Sequence, residues 1–177
     1  MRVISGEYKG RKLEAPLDMR VRPTTDKVRE AIFDIVMNDI YGSVFCDLFA
    51  GSGAMGIEAL SRHAKSVTFN DFSRESINVL KKNLEKLGVK DGCTVSNGDA
   101  ITFLKNTDQK FDVVYIDPPY KTELGKKALE QVCRVLNVDG IAVFEDEKPF
   151  IESVDGLIKY DERKYGRAYL TFFKKDN

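Results

Sequence analysis

Histidine is nearly missing from this chain: His63 is the only one in 177 residues. That removes most triads that need a histidine base and most zinc sites that need imidazole. Cysteine is scarce as well. Cys46, Cys93 and Cys133 are odd in number and far apart, and they read as small buried residues in a reducing, cytoplasmic compartment rather than as a metal site. No apolar run is long enough to span a membrane, so no membrane partner is expected. The N-terminal MRVISGEYKGRKL is basic, but no apolar core follows it, which argues against a signal peptide. There is no internal repeat and no low-complexity segment.

Net charge is also lacking, at zero over the whole chain, but the charges are uneven. Residues 1–29 hold eight Lys/Arg against four acids, and residues 159–177 hold six against three. An acidic body with basic ends suggests a polyanion gripped near the termini, with solvated surface charge as the plain alternative.

What remains is the material of a single domain with a proper core. Residues 1–22 read as short extended pieces broken at Gly6 and Gly10. After Pro23, Thr24 or Thr25 caps a helix whose Val28, Ala31, Ile32, Ile35 and Val36 share one face. From there strands and helices alternate. Strands are expected at 43–49, 66–71, 93–97, 111–117 and 140–146, and helices from the turn at 51–63 and over 73–88, 100–106 and 123–136. Ser73 caps the helix at 73–88 and Gly88 stops it. This alternation predicts an α/β fold, a mostly parallel sheet with helices on both faces. The tail holds two aromatic-rich runs around a polar break near Glu162–Arg167, which reads as an antiparallel hairpin closing the sheet edge.

The turn after the first strand reads DLFAGSGAMG. Gly51, Gly53 and Gly56 spell G-x-G-x-x-G between a strand and a helix, the setting in which backbone amides approach a ligand closely. Asp71, at the end of the next strand, is placed to take ribose hydroxyls. A nicotinamide or flavin enzyme would set a pyrophosphate on this helix, beside the carboxylate of Asp47. That carboxylate suits a cationic ligand better, and S-adenosylmethionine has an ammonium and a sulfonium as well as an adenosine. Asp99, after the third strand, is within reach of an adenine amine. A structural turn without ligand is the bland alternative.

The fourth strand ends in Asp117-Pro118-Pro119-Tyr120. Pro118 forces Asp117 out of helical geometry, so the turn is stiff. The Asp117 carboxylate and the Pro118 carbonyl are two acceptors for one planar exocyclic amine, with its lone pair turned toward a methyl donor. Tyr120 offers a stacking face for an extruded base. A rigid loop with no substrate remains the alternative.

DLFAGSG together with DPPY resembles the class I S-adenosylmethionine-dependent amino-methyltransferases. The first part, GEYKGRKLEAP followed by RPTTDKVREAIFDIV, resembles the RsmD-type family, which methylates the exocyclic N2 of a guanine in small-subunit (16S) ribosomal RNA. The likeness runs from Arg2 to the last strand. It implies a seven-stranded, Rossmann-like sheet with an antiparallel last strand, divided into a β-hairpin-like extension over 1–24 and a methyltransferase domain over 25–177. It implies that Asp47, Phe49, Gly51, Gly53 and Phe72 line the cofactor, with Asp71 on the ribose and Asp99 and Ala100 beside the adenine. Asp117, Pro118, Pro119 and Tyr120 would hold the target amine, with Arg22, Pro23 and Thr24 next to them. Arg2, Lys9, Arg11, Lys12, Lys164 and Arg167 are the expected RNA grip. The expected cofactor is S-adenosylmethionine, leaving as S-adenosylhomocysteine, with no metal. The expected partner is ribosomal RNA within a small-subunit particle, met by a monomer. The runners-up are an amino-methyltransferase acting on another RNA site, on DNA or on a protein glutamine, a non-catalytic RNA-binding module, and an NAD-type oxidoreductase.

Overall fold

The computed structural model describes residues 1–15, 25–119 and 122–176. Seven strands form one sheet in the order β3-β2-β1-β4-β5-β7-β6. Strands β1 (Val44–Asp47), β2 (Ser66–Asp71), β3 (Cys93–Asn97), β4 (Phe111–Ile116) and β5 (Leu136–Asp146) run parallel to one another. The hairpin β6 (Leu157–Tyr165) and β7 (Ala168–Lys175) adds its second strand antiparallel to β5, leaving β6 at the edge. The expected class I sheet with its antiparallel last strand is therefore present.

The central strands are apolar on both faces, as a sheet covered on both sides requires. Phe45, Val113, Tyr115, Val143 and Phe172 face one layer, formed by α1 (Asp26–Ile35), α3 (Ala54–Ser61) and α4 (Arg74–Leu87). Cys46, Val114, Ile116, Ala142 and Phe144 face the other, formed by α5 (Ala100–Asn106) and α6 (Leu124–Val132). Local chemistry sets the helix starts: Thr25, Ser73 and Asp99 cap α1, α4 and α5 through side-chain oxygens that accept from Val28, Ser76 and Thr102 amides. Gly88 ends α4 in the left-handed conformation. A one-turn helix, α2 (Met37–Ile40), follows α1.

Two boundaries differ from those read in the sequence. The helix expected over 123–136 stops at Val132, and a 3-10 turn at Cys133–Val135 leads straight into β5, which begins at Leu136 rather than 140. The polar stretch Asn137–Gly140 looks like a turn, but it is an irregularity inside the strand. Asp139 has φ 60, the register against β4 shifts between Phe111 and Val113, and Asn137 donates to Asp112 at 2.7 Å. The cysteines are also less uniformly buried than expected. Cys46 is buried, but Cys93 is half-buried on the edge strand β3, and Cys133 is half-buried with its thiol donating to the Gly156 carbonyl at 3.3 Å. Among the described residues, no helix is long and apolar enough to cross a membrane.

Residues 1–15 form a short antiparallel arm with a bridge between Arg2 and Lys12. It packs Val3 and Leu13 into the core under α3 and α4. Its polar anchor is Glu58, fully buried on α3, which accepts from the amides of Ile4 at 2.8 Å and Ser5 at 2.9 Å and from Arg62 at 2.9 Å. Arg29 on α1, also 0% exposed, lies 3.9 Å from Glu58 and 3.0 Å from Asp26. Burial holds the Arg29 guanidinium below its ordinary pKa, while Glu58 and Asp26 pull it back up.

Candidate active site

The strand order reverses between β1 and β4, and in open α/β sheets the crevice at that reversal, on the carboxyl side of the strands, is where ligands bind. The glycine loop follows β1 and the Asp117-Pro118-Pro119 segment follows β4. Asp47 pairs with Tyr115 across these adjacent strands, so the two motifs leave the sheet side by side.

Gly53 has φ 80, a conformation that a side chain disfavours. Gly56 brings α3 against the sheet: a Cβ there would lie 2.2 Å from the Phe69 ring. Asp47 itself is 1% exposed and turned inward, accepting from the Gly56 amide at 2.9 Å. Burial pushes its pKa up to about 7; the Gly56 hydrogen bond opposes the rise and the Asp71 charge adds to it.

Asp71 also works on the protein. One oxygen accepts from the Gly51 amide and the other from the Ser73 amide, both at 2.8 Å, so it ties the glycine loop to the start of α4. Asp99 spends one oxygen on the Thr102 amide at 2.8 Å, which holds its carboxyl below the usual range. Each carboxylate oxygen has a further lone pair, so neither role excludes a ligand. Phe72 is 81% exposed beside them, while Ala100 is buried and Phe49 half-buried.

Two asparagines escaped the sequence reading. Asn70 on β2 is buried and donates to the carbonyls of Leu48 and Gly98, both at 3.2 Å, joining the loops after β1 and β3. Asn97 donates to the carbonyls of Asp71 and Phe72. Their neighbours in sequence gave no signal. What would have marked them is position alone: amides in the last two residues of parallel strands, where loop carbonyls converge.

On the β4 side, Asp117 is half-buried and Pro118 buried, with Pro119 exposed and its carbonyl accepting from the Thr122 hydroxyl at 2.7 Å. Gly125 in the first turn of α6 packs on Pro118 and on the Phe144 ring. Two residues before Asp117, the Tyr115 hydroxyl donates to the buried Glu145 at 2.6 Å, a pair the sequence did not reveal. Tyr120, Arg22, Pro23 and Thr24 lie outside the described residues.

The basic residues fall into two groups. Arg2, Lys9, Arg11 and Lys12 are exposed on the N-terminal arm, where Arg2 meets Asp26 at 3.5 Å and Arg11 donates to the Lys86 carbonyl at 2.7 Å. Lys164 and Arg167 flank the β6–β7 turn and, with Glu147, Gly166 and Tyr169, line an open cavity of about 320 Å³. Lys164 sits 5.0 Å over the Tyr169 ring. Tyr169 pairs with Asp146 at the carboxyl end of β5, so this cavity shares the sheet edge with Asp117.

The strand order, the glycine loop after β1 and the Asp-Pro-Pro segment after β4 together define a class I methyltransferase. A family model described as "Conserved hypothetical protein 95" matches residues 1–174. The chain belongs to that family, the RsmD-type family its motifs resemble. It is 41% identical over 176 residues to ribosomal RNA small subunit methyltransferase D of Haemophilus influenzae, covering 90% of this chain and 91% of that one. Against the Escherichia coli protein of the same name, identity is 38% over 140 residues, covering 79% and 68%. The solved structure of the Escherichia coli protein yhhF superimposes with a TM-score of 0.90 at 30% identity, covering 99% and 98%.

Proposed function

We propose that this protein transfers a methyl group from S-adenosylmethionine to the exocyclic N2 amine of one guanine in small-subunit ribosomal RNA. The observation that carries the reading is the pairing of Asp47 with Tyr115. It sets a cofactor-type glycine loop next to an amine-type acceptor segment at one reversal of the sheet. The choice of small-subunit ribosomal RNA is supported by the names of the relatives, and guanine N2 by the resemblance to the RsmD-type family.

In this reading Gly51, Gly53 and Phe49 line the methionine end of the cofactor, with Asp47 as the buried counter-charge. Asp71, Phe72, Asp99 and Ala100 take the adenosine. Asp117 and the Pro118 carbonyl hold the two amine hydrogens, and Tyr120 stacks on the base, with Arg22 and Thr24 alongside. Orientation does most of the catalysis: the amine lone pair is aimed at the methyl carbon, the C–N bond forms as the C–S bond breaks, and S-adenosylhomocysteine leaves. The amine then sheds one proton. Residues 1–24 act as an arm on a catalytic domain over 25–177, and Arg2, Lys9, Arg11, Lys12, Lys164 and Arg167 neutralise phosphates. The enzyme acts as a cytoplasmic monomer on a partly assembled particle.

Asp117→Ala tests the assignment. Binding of S-adenosylhomocysteine should stay nearly intact while methyl transfer to ribosomal RNA falls by about 100-fold or more, the scale of losing a placed transition-state contact. Mass spectrometry of ribosomal RNA nucleosides, with and without the gene, should show the loss of a single N2-methylguanosine. A different missing methyl mark would transfer the assignment to another amine.

A further inference from the structure

The N-terminal arm and the glycine loop share one side chain. Asn83, on α4, is 0% exposed. Its amide nitrogen donates to the Ser52 carbonyl in the glycine loop and to the Glu14 carbonyl in the arm, both at 3.0 Å. Its amide oxygen accepts from the Glu14 amide at 2.8 Å. Both donor hydrogens and the acceptor are in use, a pattern that aspartate, with no hydrogen to give, cannot supply. Ser52 lies between Gly51 and Gly53, so the bond fixes the backbone of the loop itself.

The arm is also fixed to α3, the helix that grows out of this loop. Ile4 and Ser5 are held by Glu58, the Glu7 amide donates to the Ser61 carbonyl at 2.8 Å, and the Tyr8 amide donates to the Ser61 hydroxyl at 2.9 Å. The arm therefore spans the two helices around the glycine loop; Asn83 ties it to the Ser52 carbonyl, and the Ser52 hydroxyl also donates to the Met1 sulfur at 4.0 Å.

We propose that Asn83 is a positioning residue through which the N-terminal arm sets the glycine loop, so that RNA on the arm and cofactor on the loop strengthen each other's binding. This rests on the reading that the loop holds S-adenosylmethionine and the arm holds RNA. Coupling between two ligands is reciprocal, so either can be the one measured.

The test is calorimetric titration of S-adenosylhomocysteine into wild type, Asn83→Asp, Gly6→Ala and the double variant. Asn83→Asp keeps the shape and the acceptor but loses both donors. Gly6→Ala acts at the far end of the arm: at φ +82 its Cβ would sit 1.7 Å from the Ser61 carbonyl oxygen, prying the arm off α3. Each single variant should weaken binding about five- to tenfold, the scale of one or two lost hydrogen bonds. The double variant should be no weaker than the worse single one, because both act on the loop through the same arm. A ribosomal RNA fragment should tighten S-adenosylhomocysteine binding to wild type and lose that effect on Asn83→Asp. Leu157→Ala, a buried truncation at the start of β6, lowers stability elsewhere and should leave the affinity unchanged.

Wild-type affinity in Asn83→Asp overturns the proposal. So do additive effects in the double variant, or an equal loss in Leu157→Ala. If Asn83→Asp does not fold, unchanged affinity in Gly6→Ala overturns it alone. Failure of wild type to bind S-adenosylhomocysteine would strike the cofactor reading itself, and is told apart by that control.

Discussion

Asp47 should make the ligand-free protein less stable as the pH rises toward neutrality. Its carboxyl is buried, with its Oδ2 on the Gly56 amide, and its pKa is raised from 3.8 to about 7. The folded value lies above the unfolded one. Stability from this residue is therefore complete below pH 3.8, where both states hold the proton. It falls between about pH 4 and 7, because the unfolded chain ionises freely there while the folded one resists, and it levels off above 7. At about 1.4 kcal/mol per pH unit, a rise from 3.8 to about 7 amounts to about 4 kcal/mol. Asp47→Asn removes the titration but keeps an oxygen for the Gly56 amide. Urea denaturation of both proteins from pH 4 to 8 reads the difference directly. The variant should gain steadily on wild type and end about 4 kcal/mol ahead. On the proposed role of Asp47 as counter-charge, the same variant should also bind a cationic cofactor more weakly. A stability difference that stays constant from pH 4 to 8 would refute the argument that burial holds the proton on Asp47.

Glu58→Gln should unfold easily. Arg29 Nε and Nη1 already lack a hydrogen-bond partner among the described residues, so the Glu58 carboxylate 3.9 Å away is a compensating charge that glutamine removes. Breaking a buried pair costs about 3–5 kcal/mol, or a fall in Tm of about 6–20 °C at this size, measured by calorimetry. A fall of less than about 2 °C would show that the arm is not anchored by this carboxylate. Gly125→Ala should disturb the acceptor segment from behind. Its Cβ would come within 2.5 Å of the Phe144 ring and 2.9 Å of Pro118. Overpacking of this kind costs about 1–3 kcal/mol. Shifting Pro118 should lower kcat for methyl transfer about tenfold or more while cofactor affinity stays near wild type.

Much of the fold was legible because it depends on local pattern. The capped amphipathic helix at Arg74–Leu87 and the doubly buried run at Phe111–Ile116 are periodicities that any window reveals. Leu136–Gly140 misled because polar residues with a positive φ at Asp139 look like a turn, and only the bulge against β4 keeps them in a strand. In the site, the motifs located the loops, but the partners of their side chains were hidden. Asp71 reads as a ribose ligand and is found holding two backbone amides of its own protein.

The sequence by itself determined the alternation of strands and helices, the glycine loop, and the stiff Asp117-Pro118-Pro119 exit from β4. Each of these is set by residue type and spacing within a few positions. Tertiary structure decided what Glu58 and Asn83 do. Along their helices they look like solvent-facing polar residues, yet both are fully buried and bonded to an arm 53 to 69 residues away. Hydrogen bonds over such separations leave no periodic trace, because the pairing is created only when the arm lies across α3 and α4 and closes both groups off from water.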